Sequence, residues 1–152
     1  MKVEIKGLET FNLEKVLSDE LKGMLNKNKE SLEVGFFETA KYQNGEYVAN
    51  VANMQEFGTL KIPARPFFRT AVSKNQGKWL GILKNQFLAS QDFNLSLNQV
   101  GEVARGDIVV SIMRTNKPPN AEATIKAKGS SKPLIDTGFM RNSVTFKVVK
   151  NG

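Results

Sequence analysis

Asp136-Thr137-Gly138, preceded by Leu134-Ile135, is the string in this 152-residue chain that spells a catalytic motif. In aspartic proteases the triplet supplies a carboxylate that activates water, and a second carboxylate must face it across a dimer or pseudo-dimer. A small dimeric protease needs most of its fold after the triplet, including the flap over the substrate, and only 14 residues follow Gly138. The proteolytic reading therefore yields to a structural one, in which Asp136 or Thr137 caps a short helix and Gly138 relieves a turn. The adjacent acids Asp19 and Glu20, and the pair Glu102 and Asp107, lack a second polar partner for acid–base work and read as solvated helix faces. The chain has no histidine and no cysteine, so the commonest base and metal ligand, thiolate chemistry and disulfides are all excluded. It has no P-loop, dinucleotide fingerprint or metal-ligand spacing. Arg105-Gly106-Asp107 spells an integrin-binding tripeptide inside a helical pattern, and Asn94-Leu95-Ser96 a glycosylation sequon; both read as coincidence. The expectation is a protein that is not an enzyme and holds no cofactor or metal.

The residues suited to binding cluster instead between Gln55 and Arg69. Gly58 can close a helix at little steric cost, and Pro63 and Pro66 hold the following backbone extended. Pro66 also suits the first position of the next helix, where its missing N–H costs nothing. The result is a rigid elbow between two helices, anchored by Phe57, Ile62, Phe67 and Phe68. Arg65 and Arg69 place two cationic forks beside it, matched to carboxylate or phosphate. Two readings stand: a proline-braced corner of the core, or a functional loop.

A second concentration of binding potential lies in the charge. The net charge is +7. Residues 1–113 carry 14 basic against 13 acidic side chains, whereas residues 114–152 carry 8 against 2. Lys126, Lys128 and Lys132 flank Gly129-Ser130-Ser131 and make a cationic arm that suits a polyanion or an acidic protein surface. Against DNA such an arm contacts phosphates without reading sequence. A solvated basic tail is the alternative.

The elements that must position these residues follow from periodicity. Length and a 40% apolar, 24% charged composition suit a single domain over residues 1–152. No apolar run reaches a membrane span, and the alternating start Met1–Lys6 is no secretory signal, so a cytosolic product is expected. Lys2–Lys6 reads as a strand, Asn12 as the cap of a helix to about Lys27, and residues 31–40 as a strand with Leu32, Val34 and Phe36 on one face. Gln43-Asn44-Gly45-Glu46 is a turn and Tyr47–Phe57 a helix. A long helix runs from Pro66 to about Gln91, with Gly77 and Gly81 marking close packing or a break. Asp92–Asn94 is a linker, and Leu95–Arg114 a further helix stopped by Pro118 and Pro119. Residues 121–128 read as two helical turns, Thr137 as the cap of a turn to Arg141, and residues 144–149 as a strand. The fold class expected is α+β: a small antiparallel or mixed sheet packed against three or four helices, in a single domain with extended loops.

Two strings carry a family resemblance. Glu56-Phe57-Gly58-Thr59 followed by Ile62-Pro63-Ala64-Arg65-Pro66-Phe67-Phe68-Arg69 resembles the tail-completion or neck proteins of long-tailed bacteriophages, the virion morphogenesis group. Lys132-Pro133-Leu134-Ile135-Asp136-Thr137-Gly138 is similar to that family's other recurring signature, and the two occur in the family's order. The resemblance implies a structural protein of the virion neck, made in the host bacterial cytoplasm. It implies a homo-hexameric ring that completes the tail end and joins it to the DNA-filled head. Its partners would be a head-completion or adaptor protein and the tail terminator or tail tube protein, with non-specific contact to packaged DNA and no membrane. Phe57, Gly58, Pro63, Arg65, Pro66, Phe67 and Arg69 of the elbow, with Lys126, Lys128, Lys132 and Asp136 of the arm, are then the expected subunit contacts. Arg65 and Arg69 would pair with acids of the next subunit; ordinary core packing is the competing role for Phe57 and Phe67. The alternative function is a small basic nucleic-acid-binding protein acting outside the virion, although aromatic–basic interleaving is absent.

Overall fold

Helix dominates the residues that the computed structural model describes, which are 2–3, 11–12, 27, 29–115 and 138–150. In chain order the elements are β1 (Lys2–Val3), β2 (Phe11–Asn12), β3 (Glu30–Gly35), α1 (Val48–Phe57), α2 (Phe68–Ser90), α3 (Phe93–Arg114), α4 (Phe139–Asn142) and β4 (Thr145–Lys150). The class is α+β, with antiparallel pairing of β1 to β2 and of β3 to β4. Among the described residues no helix is long and apolar enough to cross a membrane. The expected helices at 12–27 and 121–128, and the cationic arm, fall almost wholly outside the described residues.

The chain groups into two compact units, one of residues 1–35, 75–105 and 145–152, the other of 36–74 and 106–144. In the first, β3 pairs along its whole length with β4, from Glu30 opposite Lys150 to Gly35 opposite Thr145. Leu32 and Val34 are buried, as their alternation requires. Glu33 and Lys147 stand opposite each other, and their Oε2 and Nζ atoms are 3.3 Å apart, so one ion pair reinforces the register. The strand expected to reach Ala40 stops at Gly35, because β4 offers no residue beyond Thr145 to pair with it.

The same unit contains the α2–α3 turn. Gln91 adopts a positive φ of 57° and its N–H bonds the Phe87 carbonyl, which closes α2. Asp92 then caps α3, its Oδ1 accepting from Leu95 N at 2.9 Å. The supposed linker Asp92–Asn94 is therefore mostly helix: an aspartate just before an apolar run was a cap signal. Phe87 and Phe93 meet edge to face across the turn, with ring centroids 5.9 Å apart. Trp79, Leu83, Leu97, Val100 and Ala104 are buried at helical spacing.

Neither glycine of α2 breaks it. α2 runs unbroken through Gly77 and Gly81, and among the described residues a Cβ at either would meet no atom within 4 Å. The close approach is elsewhere, at Gly101 of α3. A Cβ there would lie 2.3 Å from Cδ2 and 2.7 Å from Cγ of Phe146, whose ring lies over the helix backbone. Asn12 pairs opposite Lys2 in β2, and the helix it was expected to cap falls outside the described residues except at Lys27, which is helical.

These two kinds of glycine predict opposite outcomes in urea unfolding. Gly101→Ala forces the Phe146 ring aside and should cost ~1–3 kcal/mol. Gly77→Ala, at an exposed helix-interior position, should stabilise by ~0.5–1 kcal/mol.

Candidate functional site

The elbow lies wholly in the second unit. It begins where α1 ends at Gly58, whose N–H bonds the Met54 carbonyl at 2.9 Å. Gly58 holds φ 75° and ψ 171°, so its φ is positive as expected while its ψ is extended. A Cβ on it would stand 2.8 Å from both Ala64 N and Ile62 O, so the returning chain packs against the bare Cα. Thr59 N donates to Ile62 O at 2.7 Å, and Thr59 Oγ1 accepts from Lys61 N at 3.2 Å and Ile62 N at 3.0 Å. Thr59 thus pins the turn from inside by backbone and hydroxyl together. At its tip Leu60 is fully exposed.

The return leg is fastened to α1 in two places. Arg65 N donates to Gln55 O at 2.7 Å, and Arg65 Nη1 donates to Gln55 Oε1 at 2.8 Å. Glu56, 1% exposed, is the second fastening. Its Oε2 accepts from Phe68 N at 2.8 Å, and its Oε1 accepts from Arg69 N at 3.1 Å and Arg69 Nε at 2.8 Å. Arg69 Nη2 also reaches the Glu56 carbonyl at 3.3 Å, and its guanidinium lies 4.8 Å from the centroid of the Phe57 ring.

Glu56 therefore caps a helix to which it does not belong. The first N–H groups of α2 have no partner within the helix, and a carboxylate there meets both the unpaired donors and the positive end of the dipole. This also explains why α2 starts at Phe68 and not at Pro66. Phe67 N bonds the Arg65 carbonyl at 2.8 Å in a tight turn, and only from Phe68 does Glu56 supply the cap. From the other side Ser111 Oγ of α3 donates to the Phe67 carbonyl at 2.6 Å.

The residues expected as contacts divide accordingly. Phe57, Pro63, Pro66 and Arg69 lie at the surface, and Gly58 is half-buried. Arg65 is buried and bonded within its own chain, and its burial lowers its pKa from the usual arginine value. Phe67 is core, meeting Phe36 and Phe68 edge to face at 6.2 Å each. Gln55 engages Arg65, and Glu56 of the same chain engages Arg69, which keeps a side chain 52% exposed. Lys126, Lys128, Lys132 and Asp136 lie outside the described residues. Gly138, in the left-handed conformation, precedes α4 with no side-chain cap bond.

Sequence reasoning passed over Glu56 and Leu60. A signal for Glu56 existed: Val48, Ala52 and Glu56 are the buried residues of α1, four apart on one face, so the charge continues an apolar stripe. Leu60 carried none beyond standing between a threonine and a lysine in a loop.

The same unit presents an aromatic surface on a tight hairpin. Tyr42 N bonds the Glu46 carbonyl at 2.8 Å and Val48 N bonds the Ala40 carbonyl at 3.1 Å. The turn is the expected one: Asn44 Oδ1 accepts from Glu46 N at 3.0 Å, and Gly45 holds φ 85°. Tyr42 packs on Phe139 of α4 with ring centroids 5.2 Å apart, and Lys41 Nζ sits 4.5 Å from the Tyr47 ring centroid. Tyr47 and Phe139 remain exposed. This arrangement suits contact with another surface, since large apolar side chains stand out from a braced backbone.

No protein-family model, curated protein or solved structure matches the chain.

The Glu56 clamp predicts a ranking in urea unfolding. Glu56→Ala strands the Phe68 and Arg69 amides and should cost ~2–4 kcal/mol, the sum of a lost cap and an unsatisfied buried donor. Arg69→Ala should cost under ~1 kcal/mol, because its side chain is half in water. Equal losses in the two variants would mean that the ion pair, and not the cap, holds the elbow.

Proposed function

We propose that this protein is a structural component of the bacteriophage neck, assembling as a ring that completes the tail end and connects it to the DNA-filled head. The observation that carries the reading is the string from Glu56 to Arg69. It supports the reading through its resemblance to the tail-completion family, and its fold adds a physical reason. Glu56, Gln55 and Thr59 hold this segment in one conformation while Leu60, Phe57 and Arg69 face outward. A loop fixed before it binds loses little conformational freedom on docking. Weak contacts repeated around a ring then combine into a stable joint.

On this reading the protein works by shape and repetition, without catalysis. The partners are further copies of the chain, a head-completion or adaptor protein, and the tail terminator or tail tube protein. The cationic arm, with Lys126, Lys128 and Lys132, would meet packaged DNA or an acidic ring. The site of action is the virion, after synthesis in the bacterial cytoplasm.

Electron microscopy of purified phage particles labelled with antibody against this chain tests the proposal. Label concentrated between head and tail is the expected result. Particles that contain no trace of the chain would contradict it.

A further inference from the structure

We propose that Asn44, at the tip of the hairpin, is a site of spontaneous covalent change in the folded protein: its side-chain amide is lost through a cyclic imide with Gly45, leaving aspartate or isoaspartate. The inference is independent of the neck reading and rests on the turn itself. Asn-Gly occurs twice in the chain, at 44–45 and 151–152, and the first pair lies among the described residues with both members exposed. A glycine after an asparagine leaves the backbone nitrogen between them unshielded by any side chain. Gly45 holds φ 85°, and among the described residues a Cβ on it would meet no atom within 4 Å, so the tip is open around the reacting bond.

The turn also prepares the carbonyl that is attacked. Asn44 Oδ1 accepts from Glu46 N at 3.0 Å, so the carboxamide reaches back along the Asn44–Gly45 peptide. The same N–H stabilises the negative charge that gathers on Oδ1 when Cγ is attacked. In the reaction the Gly45 nitrogen gives its proton to water or hydroxide and bonds Cγ. The Cγ–Nδ2 bond breaks, and Nδ2 takes a proton from water and leaves as ammonia. Water then opens the imide, at the side-chain carbonyl to give aspartate or at the main-chain carbonyl to give isoaspartate. One restraint opposes the first step: Gly45 N donates to the Tyr42 carbonyl at 2.9 Å. An exposed hydrogen bond of this kind is worth about tenfold, which bounds how far the fold slows the reaction.

The two products differ in consequence. Aspartate keeps an oxygen for the Glu46 N–H and leaves the turn closed. Isoaspartate adds one carbon to the main chain between Gln43 and Gly45. The bonds from Gly45 N to Tyr42 O and from Tyr42 N to Glu46 O cannot both survive that insertion, so the hairpin that carries Tyr42 and Tyr47 loosens.

The test keeps the purified protein in mildly alkaline buffer beside a synthetic peptide of residues 38–50, sampling both over time. Tryptic peptide 42–61 is then read by mass spectrometry, with fragmentation placing the amide-to-acid change and chromatography separating the isoaspartyl form. Circular dichroism checks that the sample stays folded. The folded protein should convert at Asn44 within about tenfold of the peptide's rate, giving both products, while Asn50 and Asn53 of the same tryptic peptide stay intact. Asn44→Gln should abolish the change at this position, because glutamine closes the imide ring far more slowly. Conversion that needed global unfolding would be slower than in the peptide by roughly a thousandfold or more. A folded rate more than about tenfold below the peptide's, or conversion at Asn50 and Asn53 as fast as at Asn44, would overturn the proposal.

Discussion

A carboxylate buried to 1% exposure is the constraint on which the elbow depends. Taking a charged glutamate out of water costs several kcal/mol, so Glu56 is tolerable only where donors replace the lost water. Three do: the Phe68 and Arg69 amides and the Arg69 Nε. Each is available only if α2 begins at Phe68 and the intervening residues return to the flank of α1. The cost of burying the charge therefore falls on every other path the loop could take. A carboxylate near the C-terminus of α1 opposes that helix's own dipole, an effect of ~0.3–1 kcal/mol. Two direct bonds to the open end of α2 outweigh it.

The rest of the loop follows from that fastening. With both ends fixed, Pro63 and Pro66 limit the conformations between them, and Gly58 lets the returning strand approach closely. Thr59 supplies the internal bonds of the tip. The apolar residues then sort by position: Phe67 and Phe68 turn into the core, and Leu60 and Phe57 turn out. The two sequence readings, core corner and functional loop, are thus compatible. The inner face of the elbow is core, and the outer face is exposed.

Much of this was legible in the chain. The stripe Leu32, Val34, Phe36 is buried as its period requires, and so is Leu97, Val100, Val103, Ala104, Ile108, Ile112 except for the half-buried Val103, and the Asn44-Gly45 turn forms as its residues demand. What was not legible depends on partners distant in sequence. Arg65 looks like a surface fork until Gln55, ten residues away, is placed beside it. Asp92 was read as linker because its role as a cap appears only once Leu95 is helical. The glycines misled for a related reason: no described atom approaches a Cβ on Gly77 or Gly81 of α2, while Gly101 of α3 is closely packed, since that depends on where Phe146 falls from β4. Local pattern sets element type; nonlocal pairing sets which end, which face and which contact.

Amide hydrogen exchange at Phe68 and Arg69 tests the central claim most directly. Both N–H groups are bonded to the Glu56 carboxylate instead of a helical carbonyl. If that clamp holds the elbow, these amides exchange as slowly as those in the middle of α2 and α3, and Glu56→Ala makes them fast while mid-helix amides stay protected. Rapid exchange at Phe68 and Arg69 in the unaltered protein would contradict the account, because the elbow would then open on its own.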